Sequence, residues 1–249
     1  MKQNKYDDKE FFSSYSRMPR SLGGLDAAGE WSTLRGMLPD LEGKRVLDLG
    51  CGFGWHCRYA RQHGALSVLG LDLSENMLQR AREMTDDPAI EYRRSAIEDI
   101  DFSEGEFDVV ISSLALHYVE DFAGAVRKIS RSLAAGGDFV LSVEHPVFTA
   151  LAAQDWHYGP DGEKLHWPLD RYHELGLRNS RFLGSDVIKY HRTVSAYLNA
   201  LIGGGFDIKE LSELTPTEAM LESNPAWAEE VRRPMFFLIS AKKRQWSSR

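Results

Sequence analysis

Cysteine is scarce in this chain: Cys51 and Cys57 are the two in 249 residues. With no wider Cys/His pattern around them, they make neither a disulfide framework nor a zinc site, and free thiols fit a reducing cytosol. No apolar run approaches the roughly 20 residues a membrane helix needs. The opening stretch, MKQNKYDDKEFFSSY, is polar and acidic and lacks the apolar centre of a signal peptide. A cytoplasmic location without membrane association is therefore expected. A basic excess is also missing. The net charge of -7 argues against a phosphate backbone as main partner, and the closing KKRQWSSR is too short to count as an RNA-binding module. Repeats and low-complexity segments are absent as well. What remains is 43% hydrophobic residues, enough for an ordinary core.

Residues 1–40 show no strand pattern. Phe11, Phe12, Tyr15, Leu22, Leu25, Trp31, Leu34 and Leu38 recur loosely at helical spacing, so one or two short helices broken at Gly23-Gly24 are expected, forming an N-terminal extension or cap. From residue 41 short apolar runs alternate with helical stretches. Strands are expected at RVLDLG (45–50), SVLGLDL (67–73), IEYRRSA (90–96), FDVVISSL (107–114) and DFVLSVEHP (138–146). Helices are expected from the end of the first strand to about residue 63, after Ser74 as cap, and over 121–134, the last ended by Gly136-Gly137. Such alternation predicts a doubly wound α/β fold, a parallel sheet with helices on both faces. Residues 147–190 break the rhythm. They are aromatic-rich and too long for a connector, which suits a lid or binding segment. A helix over Thr193–Leu201, a strand FDIKELSEL, a helix start at Thr215-Pro216-Thr217-Glu218 with Thr215 as cap, and a last strand MFFLISAKK (235–243) complete the pattern.

The most informative stretch is VLDLGCGFGW, residues 46–55, in which a strand ends in a glycine turn that opens a helix. Gly50, Gly52 and Gly54 let backbone approach a ligand closely. A ligand of an open α/β sheet sits at the carboxyl ends of the strands, where strand order reverses. The spacing is G-x-G-x-G, Trp55 stands where a dinucleotide fingerprint carries its last glycine, and Asp48 puts an anion where a pyrophosphate would sit. A pyrophosphate disfavours that carboxylate, whereas a ligand bearing an ammonium tolerates it.

On these residues the sequence resembles the class I S-adenosylmethionine-dependent methyltransferases of small-molecule type, with good specificity over residues 44–145 and more weakly to 243. The resemblance implies a Rossmann-like, seven-stranded, mostly parallel sheet with the last strand antiparallel, S-adenosylmethionine as cofactor and S-adenosylhomocysteine as product. It implies that Asp48 interacts, directly or through water, with the methionine part of the cofactor, against the turn Gly50, Cys51, Gly52 and Gly54. It assigns Asp72 to both ribose hydroxyls and Leu73 and Met77 to the flanks of the adenine. Where the family often has Asp-Ala at the adenine edge, this chain has Ala96 and Ile97 followed by Glu98, so the Ile97 backbone and Glu98 are expected to serve. Ser113 and Leu114 match the segment beneath the methionine moiety. Extensions in related enzymes close over the cofactor, so Arg20 could grip its carboxylate and Tyr15 could face the substrate.

The remaining candidates carry two readings each. His117, after the fourth strand, and His145, after the fifth, could act as general base or shape the pocket. Glu144, beside His145, is expected to face sheet packing or a helix. His191 and Arg192 could bind an acidic substrate or pair with surface carboxylates. Trp156, Tyr158, Trp167 and Tyr172 could form a pocket lid or the insertion's own small core. Cys51 and Cys57 are expected to be structural, since no His-Asp pattern accompanies them. No metal is expected, because Ser112 and Ser113 offer no magnesium ligands. The expected reaction is methyl transfer to a small-molecule acceptor by a monomer or homodimer. A non-catalytic cofactor-binding protein and an NAD(P)-dependent oxidoreductase are the alternatives.

Overall fold

The computed structural model describes residues 3–245, so the end of the KKRQWSSR tail, 246–249, lies outside the described residues. Three helices precede the sheet: α1 (Lys9–Ser16), α2 (Pro19–Gly23) and α3 (Trp31–Met37), with 3₁₀ turns at Lys5–Asp7 and Gly24–Ala27. The alternating part then runs β1 (Arg45–Leu49), α4 (Trp55–Gln62), β2 (Ser67–Asp72), α5 (Glu75–Glu83), β3 (Ile90–Arg94), β4 (Phe107–Ser113), α6 (Phe122–Ser132) and β5 (Leu133–Glu144). A short α7 (Pro146–Thr149) leads into two hairpins, β6 (His157–Tyr158) with β7 (Lys164–His166), and β8 (Gly176–Phe182) with β9 (Ser185–His191). α8 (Val194–Gly203), β10 (Phe206–Glu213), α9 (Glu218–Ser223) and β11 (Phe236–Lys243) complete the chain.

Seven strands form one sheet in the order β10-β11-β5-β4-β1-β2-β3. The first five in sequence are mutually parallel, and β11 is antiparallel to both β5 and β10. This is the Rossmann-like α/β architecture, with strand order reversing between β1 and β4 and thereby opening a crevice at their carboxyl ends. β1 is apolar on both faces because helices cover both: Val46, Leu47 and Leu49 are fully buried. Phe122, Val126 and Ile129 of α6 pack with Tyr197 and Leu201 of α8 on one face. Cys57 and Ala60 of α4 and Leu78 of α5 pack on the other. Trp31, Leu34 and Met37 of α3 cover Val140 and Leu238 of the antiparallel side. Each large side chain so buried stabilises the fold by about 1.5–3 kcal/mol. β3 is the sheet edge, which is why its sequence is polar: Glu91 and Arg93 are exposed.

Local capping matches composition at most helix starts. Ser74 accepts from the Met77 amide at 3.2 Å, Asp121 from Gly124 at 2.7 Å and Thr193 from Ala196 at 3.1 Å. The helix expected to start at Thr215 is capped by Thr217 instead, whose hydroxyl reaches the Met220 amide at 3.3 Å. The helix expected to end at 134 stops at Ser132, and Gly136-Gly137 falls inside the following strand. The register against β4 slips there, and a Cβ on Gly137 would sit 2.9 Å from the Asp108 carbonyl. The glycines admit that bulge rather than a helix terminus. Among the described residues no helix is long and apolar enough to cross a membrane.

Candidate active site

A cavity of about 800 Å³ opens at the carboxyl ends of β1, β2, β4 and β5. Its floor is the glycine turn. Gly50, Gly52 and Gly54 have φ of +76°, +53° and +72°, the left-handed region that side chains resist. The amides of Gly50 and Cys51 both donate to the Leu71 carbonyl, at 2.8 and 2.9 Å, which locks the turn onto β2. A Cβ on Gly52 would meet nothing within 4 Å, and this residue lines the cavity. The turn therefore exposes bare backbone to whatever the cavity holds.

Asp72 ends β2 on the same wall. Its Oδ2 accepts from the Gly52 amide and its Oδ1 from the Ser74 amide, both at 2.9 Å. Each carboxylate oxygen keeps a lone pair, and the group is pinned in one orientation facing the cavity. Burial raises its pKa, against the lowering effect of the two amides. Leu73, Met77, Ala96, Ile97 and Glu98 continue this wall as a mostly apolar slot. Ser113 and Leu114 close it from β4, Leu114 taking φ +51°.

Asp48 lies one layer behind the turn, only 1% exposed and off the cavity wall. The Cys57 thiol donates to its Oδ2 at 3.3 Å, while Oδ1 has no partner. Desolvation pushes its pKa from 3.8 up to about 7. Between these values the native state holds a proton that the unfolded chain lacks. Stability from this group is therefore full below about pH 4, falls as pH rises towards about 7 by at most about 1.4 kcal/mol per pH unit, and is lost above that. Asp48→Asn removes the titration. Its melting temperature relative to the parent should climb between about pH 4 and pH 7 and level off above; parallel melting profiles across that range would refute the assignment. Burial also pushes the Cys51 thiol up to about 11 and raises that of Cys57. Both stay protonated and unreactive. Gly54 caps α4 rather than lining the cavity, and a Cβ there would strike the Tyr92 hydroxyl at 2.1 Å.

The N-terminal helices form the roof. Tyr15, Arg20 and Ser21 line the cavity together with Tyr6. Tyr6 meets Tyr15 edge-on at 5.2 Å, and its hydroxyl lies 3.4 Å from that of Tyr118. Arg20 pairs with the buried Glu30, which also accepts from Ser113 Oγ at 3.5 Å. Asn4 Oδ1, Ser21 Oγ and Trp55 Nε1 are buried polar atoms without partners on this lining. These orphaned atoms, the open Gly52 face and the pinned Asp72 carboxylate suit a polar nucleoside ligand with an amino-acid tail.

The opposite wall comes from His117, Glu144, Gln154, Phe182 and Lys189. His117 Nδ1 accepts from the Glu144 amide at 3.4 Å, so the ring proton is on Nε2. Burial lowers its pKa to about 4, with neighbouring Glu144 opposing and Lys189 and Arg192 assisting. Neutral His117 is thus a hydrogen-bond donor and a weak base. Glu144, expected to face packing, lines the cavity and binds the Lys189 ammonium at 2.5 Å.

The other sequence candidates lie elsewhere. His145 follows Glu144, so its side chain leaves on the opposite side of the strand end. There it caps α7 through Nδ1 and bonds Glu213 at 2.8 Å. His191 is held between Thr149 Oγ1 at 2.7 Å and the Tyr172 carbonyl at 2.9 Å. Arg192 spans the carbonyls of Val119 and Glu120. The Tyr172 hydroxyl accepts from the Val194 amide at 3.2 Å. Trp156 and Trp167 form the insertion's own core: Arg233 lies 4.3 Å from the Trp167 ring centre and Arg232 4.4 Å from that of Trp156, with Phe148 stacked on Trp167. Tyr158 is exposed and bonds Asp155. The insertion reaches the cavity through Phe148 and Gln154 and through β8 and β9, with Arg181, Phe182, Ile188, Lys189 and Tyr190. Sequence reasoning passed over Lys189, although Val187, Lys189 and His191 alternate onto the buried face of β9. Among the described residues no group of three or more His, Cys, Asp or Glu could hold a metal ion.

A strand-order reversal, a glycine turn and a pinned carboxylate facing the cavity fit a nucleoside-cofactor enzyme of the methyltransferase class. Residues 47–141 match the family described as Methyltransferase domain. The chain is 52% identical to a candidate S-adenosylmethionine-dependent methyltransferase of Listeria monocytogenes, covering 89% of this chain and 100% of that one, with a TM-score of 0.85. It is 49% identical to an S-adenosylmethionine-dependent methyltransferase of Mesorhizobium loti, over 88% of this chain and 100% of that one, with a TM-score of 0.84. An uncharacterized protein of Haemophilus influenzae is 33% identical over 96% of both chains. The chain belongs to the S-adenosylmethionine-dependent methyltransferases, and S-adenosylmethionine is its cofactor.

Proposed function

We propose that this enzyme methylates a small-molecule acceptor enclosed between the cofactor and the insertion, without a nucleic-acid or membrane partner. The observation that carries this reading is the continuity of one cavity from the Asp72 wall to the Glu144–Lys189 wall. When bound, S-adenosylmethionine supplies a methyl group already activated on a sulfonium and departs as S-adenosylhomocysteine. The protein then has to bind, orient and exclude water. In this reading Asp72 accepts from the ribose hydroxyls, Leu73, Met77 and Ile97 flank the adenine with Glu98 at its edge, and Arg20 with the Gly50–Gly52 backbone meets the amino-acid end. The rings of Tyr6, Tyr15 and Tyr118 offer π faces to a cation. Residues 1–40 serve as a cap, residues from 41 onward as the catalytic domain, and 147–190 as the acceptor side. The buried free thiols Cys51 and Cys57 suit a reducing cytoplasm.

Calorimetry with S-adenosylmethionine and S-adenosylhomocysteine, followed by a screen for S-adenosylhomocysteine release over a metabolite panel, tests the proposal. Binding of both nucleosides is expected, with turnover on a small molecule and none on RNA. Turnover on RNA, or binding without turnover on any panel member, would overturn the small-molecule reading.

A further inference from the structure

Lys189 is 2% exposed, an unusual state for a lysine. Its ammonium donates to Glu144 Oε1 at 2.5 Å and to Gln154 Oε1 at 2.9 Å, while Gln154 Nε2 donates to Glu144 Oε2 at 2.9 Å. The three side chains close a ring that fixes the ammonium and engages both carboxylate oxygens. An ammonium has three protons, and two are committed here. Among the described residues the third has no hydrogen-bond acceptor, only the face of the Phe182 ring 5.6 Å away, and Lys189 lines the cavity. His117 lines it too, with Nδ1 occupied by the Glu144 amide and Nε2–H free of any protein partner among the described residues. Two donors, one of them charged, therefore remain available on this wall. The surfaces around them are flat and apolar: Phe148, Phe182, Ile188 and Phe236. The rim acids Glu120 and Asp121 are exposed and screened by solvent.

We propose that the acceptor carries an acidic hydroxyl of the phenol or enol class, bound as its oxyanion by the third N–H of Lys189 and the Nε2–H of His117, and that this oxygen is the atom methylated. The inference rests on the methyltransferase reading above and specifies its substrate. A protonated amine would set a second cation against the Lys189 ammonium, and a neutral amine would bring no negative charge to it, while the Glu144 oxygens already accept from Lys189 and Gln154. An acidic hydroxyl releases its proton to water on binding the ammonium. The oxygen lone pair then forms the O–C bond, the C–S bond breaks, and its electron pair stays on sulfur. The products are a methyl ether and a neutral thioether.

The test uses protein saturated with S-adenosylhomocysteine and three ring probes of similar size: 4-nitrophenol, nitrobenzene and 4-nitroaniline. 4-Nitrophenol should bind at least about tenfold tighter than the other two, the increment of one charge-assisted hydrogen bond, and its absorbance should shift to that of the ionised form. Lys189→Met alone leaves the buried Glu144 carboxylate without its counter-charge and risks misfolding, so the informative variant is Lys189→Met with Glu144→Gln. It should lose that tenfold preference and the absorbance shift, while affinities for nitrobenzene and S-adenosylhomocysteine hold. Equal binding of the three probes, preference for the aniline, or no probe binding at millimolar concentration overturns the acceptor proposal alone. Failure of S-adenosylhomocysteine to bind in the first step overturns the methyltransferase reading itself.

Discussion

Asp72→Ala should weaken S-adenosylmethionine binding on the order of 100-fold, the loss of charge-assisted hydrogen bonds at about 1.5–3 kcal/mol each. The carboxylate sits at the end of β2, held by the Gly52 and Ser74 amides, and its free lone pairs face the cavity. Removing it deletes the proposed ribose acceptors and frees the amide that fixes the middle of the glycine turn. The rest of the turn remains anchored through Gly50 and Cys51 on the Leu71 carbonyl. The fold should therefore survive, with thermal melting close to that of the parent. Calorimetry provides the affinity, and an unchanged dissociation constant would remove Asp72 from the cofactor site.

A larger structural effect is expected at Gly50. Its φ of +76° disfavours any side chain, and a Cβ there would lie 2.4 Å from the Ala115 Cβ. A left-handed conformation costs an L-residue about 1–2 kcal/mol, and forcing atoms into a packed site costs about 1–3 kcal/mol. Gly50→Val should lower the melting temperature by roughly 6–12 °C for a chain of this size, the equivalent of about 3 kcal/mol, and abolish cofactor binding. Gly50→Ala combined with Ala115→Gly separates the two causes. The double variant relieves the collision and keeps the backbone strain, so part of the stability should return. A variant as stable as the parent with Val at this position would contradict the described turn geometry.

The glycine-turn side of the cavity was legible because its determinants are local. Gly50, Gly52, Asp72, Leu73 and Met77 lie at strand ends whose positions follow from the run lengths of β1 and β2, and hydrophobic continuity alone marks those strands. The edge strand β3 was weaker because one side of it faces water. The opposite wall, at Glu144 and Lys189, was not legible. Glu144 and Lys189 are 45 residues apart and belong to different sheets, so their pairing depends on how the β8–β9 hairpin folds back over the main sheet. A lysine is buried here because a carboxylate waits for it, and no spacing rule encodes that. His145 shows the converse. Its position at the active end was readable, yet its direction was not, because a one-residue step at a strand end reverses which side a group faces. The aromatic residues of the insertion were visible as a set. The cations that claim them, Arg232 and Arg233, come from the segment before β11.

The first described residues join both halves of the chamber. Asp7 accepts from Ser74 Oγ at 2.5 Å and from the Asn76 amide at 3.1 Å, beside the Asp72 wall. Gln3 Oε1 accepts from the Ile188 amide at 2.7 Å, next to Lys189 on the opposite wall. One short length of backbone is thus a crossbar with a foot on each bank. The residues just before α1 therefore tie both walls together, so removing them would take hydrogen bonds from each wall at once.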